Sequence, residues 1–294
     1  AVYQRPFTKR RRAFLWLKIE PKERPSGGYR GQMKRRNGTD MRDNLVKERL
    51  KKGECVFGVF ANGLSPEMME IMTLAGFDFI VIDSEHASSS PETNRLLLMA
   101  ADGRGEDVFI RVPNKISSSI LQNLDVGAKG LLVPQVNSRK EAEQVVYDAK
   151  YFPEGMRGVA TPRASDYGMS VPIKDYMKWA NENLLIAVQC ENIKCLDELD
   201  DIAAVEGIDV IFIGPFDLSQ SMGIPGQVYD EKIEHVMELV LNATKKHGKY
   251  AGIYTGSVEM AKKYRDMGFQ YIIVGSDIKH FSTECRRVVK ELKG

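Results

Sequence analysis

The chain has 294 residues, of which 43% are hydrophobic, 28% charged and 9% aromatic. That composition excludes collagen-like, disulfide-scaffold and wholly disordered classes, and no apolar run approaches the roughly 18 residues that span a bilayer. The net charge of +2 conceals an asymmetry: residues 1–40 hold 12 Lys/Arg against 3 Asp/Glu, and the other 254 hold 30 against 37. A nucleic-acid partner would therefore have to be bound by the first forty residues alone, and none is expected.

Those forty residues carry two basic clusters, Lys9-Arg10-Arg11-Arg12 and Lys34-Arg35-Arg36, around a Pro/Gly stretch at 21–31. The apolar run at 13–17 is too short for a signal-peptide core, and no small-residue cleavage site follows it. Residues 1–40 are read as a basic, disordered extension, or as translated sequence upstream of a start at Met41. A targeting segment or a polyanion-binding arm is the functional alternative. Residues 41–294 are expected to form the domain that carries the function.

From Met41 onward, short runs rich in Val, Ile and Phe alternate with amphipathic stretches. Strands are expected at 56–60, 79–83, 108–112, 130–133, 185–189, 210–214, 250–254 and 271–275. Such runs suit parallel strands covered by helices. Ser65-Pro66-Glu67 and Ser90-Pro91-Glu92 each place a capping serine, a first-turn proline and an acid at a helix start. Gly76 and Gly268 close helices. Eight strands alternating with helices predict an α/β fold of the (β/α)8 TIM-barrel type. An open doubly wound sheet is disfavoured, because no Gly-rich dinucleotide loop follows the first strand. The longest connection, 134–184, holds a helix, a polar loop and a second helix, and loops of that length tend to be functional.

In a TIM barrel the chemistry sits at the C-terminal ends of the strands. Polar residues gather there: Asp83-Ser84-Glu85-His86, Arg111, Gln189-Cys190-Glu191, Asp217 and Ser276-Asp277. Glu191 and Asp217, with Gln189 beside them and no Cys or His ligand, form a hard oxygen site suited to Mg²⁺ or Mn²⁺. The alternative is a helix-capping Asp217 and a solvent-facing Glu191. His86 is the natural general base, against a merely hydrogen-bonded histidine at the barrel mouth. Arg111 either stabilises an oxyanion or only pairs with Asp83 or Glu85. Lys115 and Lys279 lie past strand ends, outside the apolar setting that a Schiff-base lysine needs. The four cysteines match no zinc spacing and read as reduced thiols of a cytoplasmic protein.

Residues 43–282 resemble the HpcH/HpaI family of metal-dependent pyruvate aldolases. The likeness is carried by Gly76-Phe77-Asp78-Phe79, Asp83-Ser84-Glu85-His86, Arg111-Val112-Pro113 and Leu124-Asp125-Val126-Gly127-Ala128. It continues through Gly155-Met156-Arg157-Gly158, Arg163-Ala164-Ser165, Gln189-Cys190-Glu191 and Gly214-Pro215-Phe216-Asp217-Leu218-Ser219. The resemblance implies a barrel of the phosphoenolpyruvate/pyruvate type, assembled as a homohexamer with its last helix exchanged between subunits. It implies a divalent cation (Mg²⁺ or Mn²⁺, with Co²⁺ as an alternative) on Glu191 and Asp217. It implies further that Gln189 stands beside the metal, that His86 pairs with Asp125 as the base, and that Arg111 steadies the keto oxygen. Ser165 and the backbone amides near Phe216 and Asp217 would hold the pyruvate carboxylate. Ser84 departs from a more usual Gly, and Cys190-Glu191-Asn192 from a more usual Ile-Glu-Thr.

The expected reaction is reversible cleavage of a 4-hydroxy-2-oxo acid to pyruvate and an aldehyde. Two rivals remain: an acyl-CoA lyase resembling the citrate lyase β-subunit, and a non-catalytic barrel with a polyanion-binding basic tail. His86 in its Glu-His context and the lack of a basic patch for CoA phosphates count against the first. The filled catalytic positions count against the second.

Overall fold

The apolar runs become eight parallel strands that close into one barrel, each paired with the next and β8 with β1. The computed structural model describes residues 41–294, so the expectations for residues 1–40 lie outside the described residues. The strands are β1 (Val56–Ala61), β2 (Phe79–Asp83), β3 (Val108–Arg111), β4 (Gly130–Val133), β5 (Leu185–Cys190), β6 (Val210–Ile213), β7 (Tyr250–Thr255) and β8 (Tyr271–Ser276). Each bound falls within one residue of the expectation. The helices are α1 (Leu45–Lys51), α2 (Pro66–Ala75), α3 (Pro91–Asp102), α4 (Ser117–Asp125), α5 (Arg139–Ala149), α6 (Ile173–Asn183), α7 (Leu199–Ala203), α8 (Pro215–Ser221), α9 (Glu231–His247), α10 (Val258–Met267) and α11 (Asp277–Lys293). Closure removes the sheet edges of an open doubly wound fold.

Helix starts follow the sequence signals, with one variation. The Ser90 hydroxyl accepts the N–H of Thr93 at 3.2 Å, as an N-cap should. Ser65, in the same sequence pattern, makes no cap hydrogen bond, and its hydroxyl donates to the Glu67 carboxylate instead.

Inside the barrel, Phe79 and Tyr271 stack with ring centroids 4.3 Å apart, and Phe109 and Phe212 meet Tyr271 edge-on. Such pairs contribute about 0.5–1.5 kcal/mol each beyond their buried area. Gly58 makes room for this plug, since a Cβ there would lie 2.2 Å from the Phe79 ring. Val46 and Leu50 of α1 seal the N-terminal end of the barrel. A second apolar layer packs the outward strand faces against the helices. Cys190 and Cys195 belong to that layer, and all four cysteines are free thiols.

Helices of a βα unit run antiparallel to the strands, so α5 returns the chain to the N-terminal end of the barrel. The long connection that follows stays there. Arg157 pairs with Asp125 at the end of α4 (2.7 Å), and Arg163 with Asp102 at the end of α3 (2.5 Å). The part of the longest connection that follows α5 is therefore held at the far end of its own barrel, while residues 134–138 stay at the mouth. Helix α11 departs in another way: only Asp277 is buried, while Ile278, Phe281, Val288, Val289 and Leu292 are exposed.

Candidate active site

Parallel register brings Asp83 and Arg111 side by side at the ends of β2 and β3. Arg111 donates to both Asp83 oxygens, at 2.9 and 2.7 Å. Asp83 also accepts the Asn62 side-chain amide at 2.6 Å and the N–H groups of Glu85 and His86 at 3.1 and 3.2 Å. Burial presses the Asp83 carboxyl up, but Arg111 and these donors outweigh it and hold the acid below its ordinary range. The guanidinium lies 4.6 Å from the centre of the Phe60 ring, with a third nitrogen 3.2 Å from Glu85. A fork locked by Asp83 and backed by an aromatic face is a preorganised cation at the barrel mouth.

Glu191 stands two strands along from Arg111, one residue past β5, where alternation turns Gln189 and Glu191 into the barrel and Cys190 outward. It is only 1% exposed. One carboxylate oxygen accepts the Gln135 N–H at 2.8 Å, and the other accepts the Gln189 side-chain amide. Gly214 permits this placement, since a Cβ there would lie 2.7 Å from Glu191 Oε2. Burial, then the negative charges of Glu85 and Asp217, push the Glu191 carboxyl up to about 7 against the pull of Gln135 and Arg111. Glu85 is raised by burial in the same way, with Asp83 and Asp217 adding to it.

The mouth thus carries more buried negative charge than Arg111, already committed to Asp83, can balance. Gln189 Oε1 is buried without a hydrogen-bond donor, and Glu85 Oε2 has none in aligned geometry. Unpaired oxygens and mutually repelling carboxylates fit a hard divalent cation. Among the described residues no group of three or more His, Cys, Asp or Glu is arranged to hold a metal. An ion here would take Glu191 and Asp217 and draw its remaining ligands from solvent and substrate oxygens.

The other expected residues divide between the two ends of the barrel. His86 is at the mouth, with its side chain 60% exposed and Nε2 4.0 Å from Glu85. Phe216 and Asp217 open α8, beside the mouth, and both are exposed. Asp125 ends α4 at the opposite end, paired with Arg157, so one chain does not bring it to His86. Ser165 is also at that far end, buried in the turn Arg163–Gly168, its hydroxyl donating to the Pro162 carbonyl at 2.9 Å. Both departures from the family pattern have local partners. Ser84 accepts from Asn94 at 2.9 Å, and Asn192 caps its own turn by accepting the Lys194 N–H at 3.1 Å. Sequence reasoning missed Gln135, which acts through a backbone N–H that no side-chain pattern reveals. The available signal was its position just beyond β4, one of the strand ends left without a candidate.

The family model for HpcH/HpaI aldolase/citrate lyase matches residues 56–283. The chain belongs to this family. It is a lyase of the aldolase type. It is 34% identical over 255 residues to a 5-keto-4-deoxy-D-glucarate aldolase of Escherichia coli O139:H28, covering 86% of this chain and 98% of that one. A crystal structure of an HpcH/HpaI aldolase/citrate lyase family protein from Burkholderia cenocepacia J2315 superposes with TM-score 0.81 at 31% identity, covering 85% of this chain and 100% of the other. The citrate synthase SbnG superposes with TM-score 0.75 at 32% identity, covering 84% and 98%.

Proposed function

We propose that this lyase is a divalent-metal-dependent aldolase that reversibly cleaves a 4-hydroxy-2-oxo acid to pyruvate and an aldehyde. The observation that carries the reading is the buried Glu191, with Gln189 Oε1 unpartnered beside it, facing Arg111 across a surplus of carboxylates. The aldolase name of the Escherichia coli relative supports it.

A divalent cation (Mg²⁺, Mn²⁺ or Co²⁺) on Glu191 and Asp217 would supply Lewis-acid stabilisation of negative charge growing on the 2-oxo oxygen. Arg111, held rigid by Asp83, places a second positive charge there without reorganisation at the moment of reaction. In cleavage His86 takes the proton of the 4-hydroxyl as the C3–C4 bond breaks. The C3–C4 electron pair becomes a C2=C3 double bond as the C2 carbonyl pair moves onto its oxygen, the 4-oxygen closes the aldehyde carbonyl and leaves, and a proton added at C3 restores the 2-oxo group and completes the pyruvate methyl group. The first N–H groups of α8, at Phe216 and Asp217, lack intrahelical acceptors and are assigned to the substrate carboxylate. Gln189 orients Glu191.

Asp125 and Ser165 fit this scheme only across a subunit boundary, since each lies at the far end of its own barrel. The exposed apolar stripe of α11 supports a homo-oligomer, with the hexamer as the proposed form, and sedimentation equilibrium tests it. Among the described residues no helix is long and apolar enough to cross a membrane, and a cytoplasmic location is proposed.

The deciding experiment incubates the protein with pyruvate in D₂O and follows the methyl proton signal by NMR, with Mn²⁺ or Mg²⁺ and with EDTA. Exchange that needs the metal, disappears in Glu191→Ala and slows in His86→Ala supports the reading. No exchange from a folded protein that binds Mn²⁺ overturns it and shifts weight to the acyl-CoA lyase.

A further inference from the structure

Glu191 takes its direction from a peptide that is itself held from outside the site. Gln135 adopts φ +55°, a left-handed conformation that a residue with a Cβ keeps only where its surroundings impose it. Its N–H reaches inward to Glu191 at 2.8 Å. Its carbonyl points away and accepts from Lys115 Nζ at 2.8 Å and from the Asn137 side-chain amide at 3.1 Å. Lys115 in turn pairs with Glu141 at 2.5 Å, and the second Glu141 oxygen accepts the Asn137 N–H at 2.7 Å. Three segments are tied together in this way: the β3–α4 loop, the β4–α5 loop and the first turn of α5.

We propose that Lys115 and Glu141 are positioning residues, a clamp that holds the Gln135 peptide in its left-handed turn and so aims Glu191 at the cation position. Neither side chain hydrogen-bonds or ion-pairs with Glu191 or Asp217 among the described residues, so their mechanical hold on Glu191 passes through Gln135. Without Lys115 the carbonyl loses its charged donor, the peptide relaxes and its N–H turns from Glu191. The inference rests on the metal-dependent reading above, but the clamp itself can be observed without metal.

The test uses Lys115→Met, Lys115→Arg and Glu141→Gln in the full chain, with Mn²⁺ binding measured by electron paramagnetic resonance. Amide hydrogen exchange is measured on the metal-free proteins, and thermal melts confirm folding. Lys115→Met is expected to weaken Mn²⁺ binding about tenfold, with Lys115→Arg returning it to within about threefold of wild type. Exchange at residues 135–137 should quicken in Lys115→Met and Glu141→Gln and stay near wild type in Lys115→Arg. Unchanged exchange at 135–137 overturns the clamp, even where Mn²⁺ binding weakens, because the loss would then come from charge alone. If the wild type binds no Mn²⁺, the metal-dependent reading fails and hydrogen exchange alone decides the clamp. Should Lys115→Met not fold, Glu141→Gln carries the same comparison.

Discussion

Arg111 and Asp83 are register partners on neighbouring strands, and their two hydrogen bonds of 2.9 and 2.7 Å orient the guanidinium at the barrel mouth. A lysine at position 111 keeps the charge but cannot make the fork. Arg111→Lys is expected to slow metal-dependent pyruvate exchange roughly 10²- to 10³-fold. Far-ultraviolet circular dichroism should stay unchanged. A rate within threefold of wild type would reduce Arg111 to a structural partner of Asp83.

Gly214 has φ −95°, a conformation open to alanine, so substitution there is a question of space alone. The added Cβ would press on Glu191 Oε2 from 2.7 Å. Gly214→Ala is expected to weaken Mn²⁺ binding by about tenfold or more, as other disturbances beside a metal ligand do. Overpacking of this kind costs about 1–3 kcal/mol, so the protein should still fold. Wild-type affinity in isothermal titration would show that Glu191 has a second way to sit.

Glu106 supplies a pH-dependence remote from the mouth. Burial, then the charge of Asp107, push its carboxyl up to about 8, and the nearby Arg42 donates to the Glu106 backbone carbonyl and to Asp107 rather than to this carboxyl. The folded state favours the protonated acid, so stability is fully present below the ordinary carboxylate range. It falls as pH rises from there through about 8. Glu106→Gln removes the titration. Its unfolding free energy in urea should match wild type near pH 4.5 and exceed it increasingly up to pH 8.5, by roughly 4–5 kcal/mol. Parallel curves for the two proteins would refute the assignment.

Tyr271 stacks on Phe79 in the centre of the barrel, and its hydroxyl is buried without a partner. Phenylalanine keeps the ring and removes the stranded group. Tyr271→Phe is expected to stabilise by about 1 kcal/mol, roughly 2–4 °C in the thermal midpoint of a domain this size. A lower midpoint would mean that the hydroxyl has a partner, such as a buried water.

The barrel was legible in the chain because its signals are local. Buried runs such as 79–83, the Ser-Pro-Glu helix starts and the glycine ends each follow from backbone chemistry within a few residues. The polar strand ends were legible for the same reason: Arg111, Gln189, Glu191 and Asp217 stand out where apolar runs stop. Other features depend on closure. Burying Glu191 with Gln189 Oε1 unpaired requires β5 and β6 to meet across Gly214, and its third neighbour, the Gln135 N–H, belongs to a loop 56 residues away. Asp125 and Ser165 carry motif residues, yet the antiparallel run of α4 and α5 takes them to the far end of the barrel. A motif specifies which groups are present. Which of them converge is set by strand register, helix direction and barrel closure, all of which join residues distant along the chain.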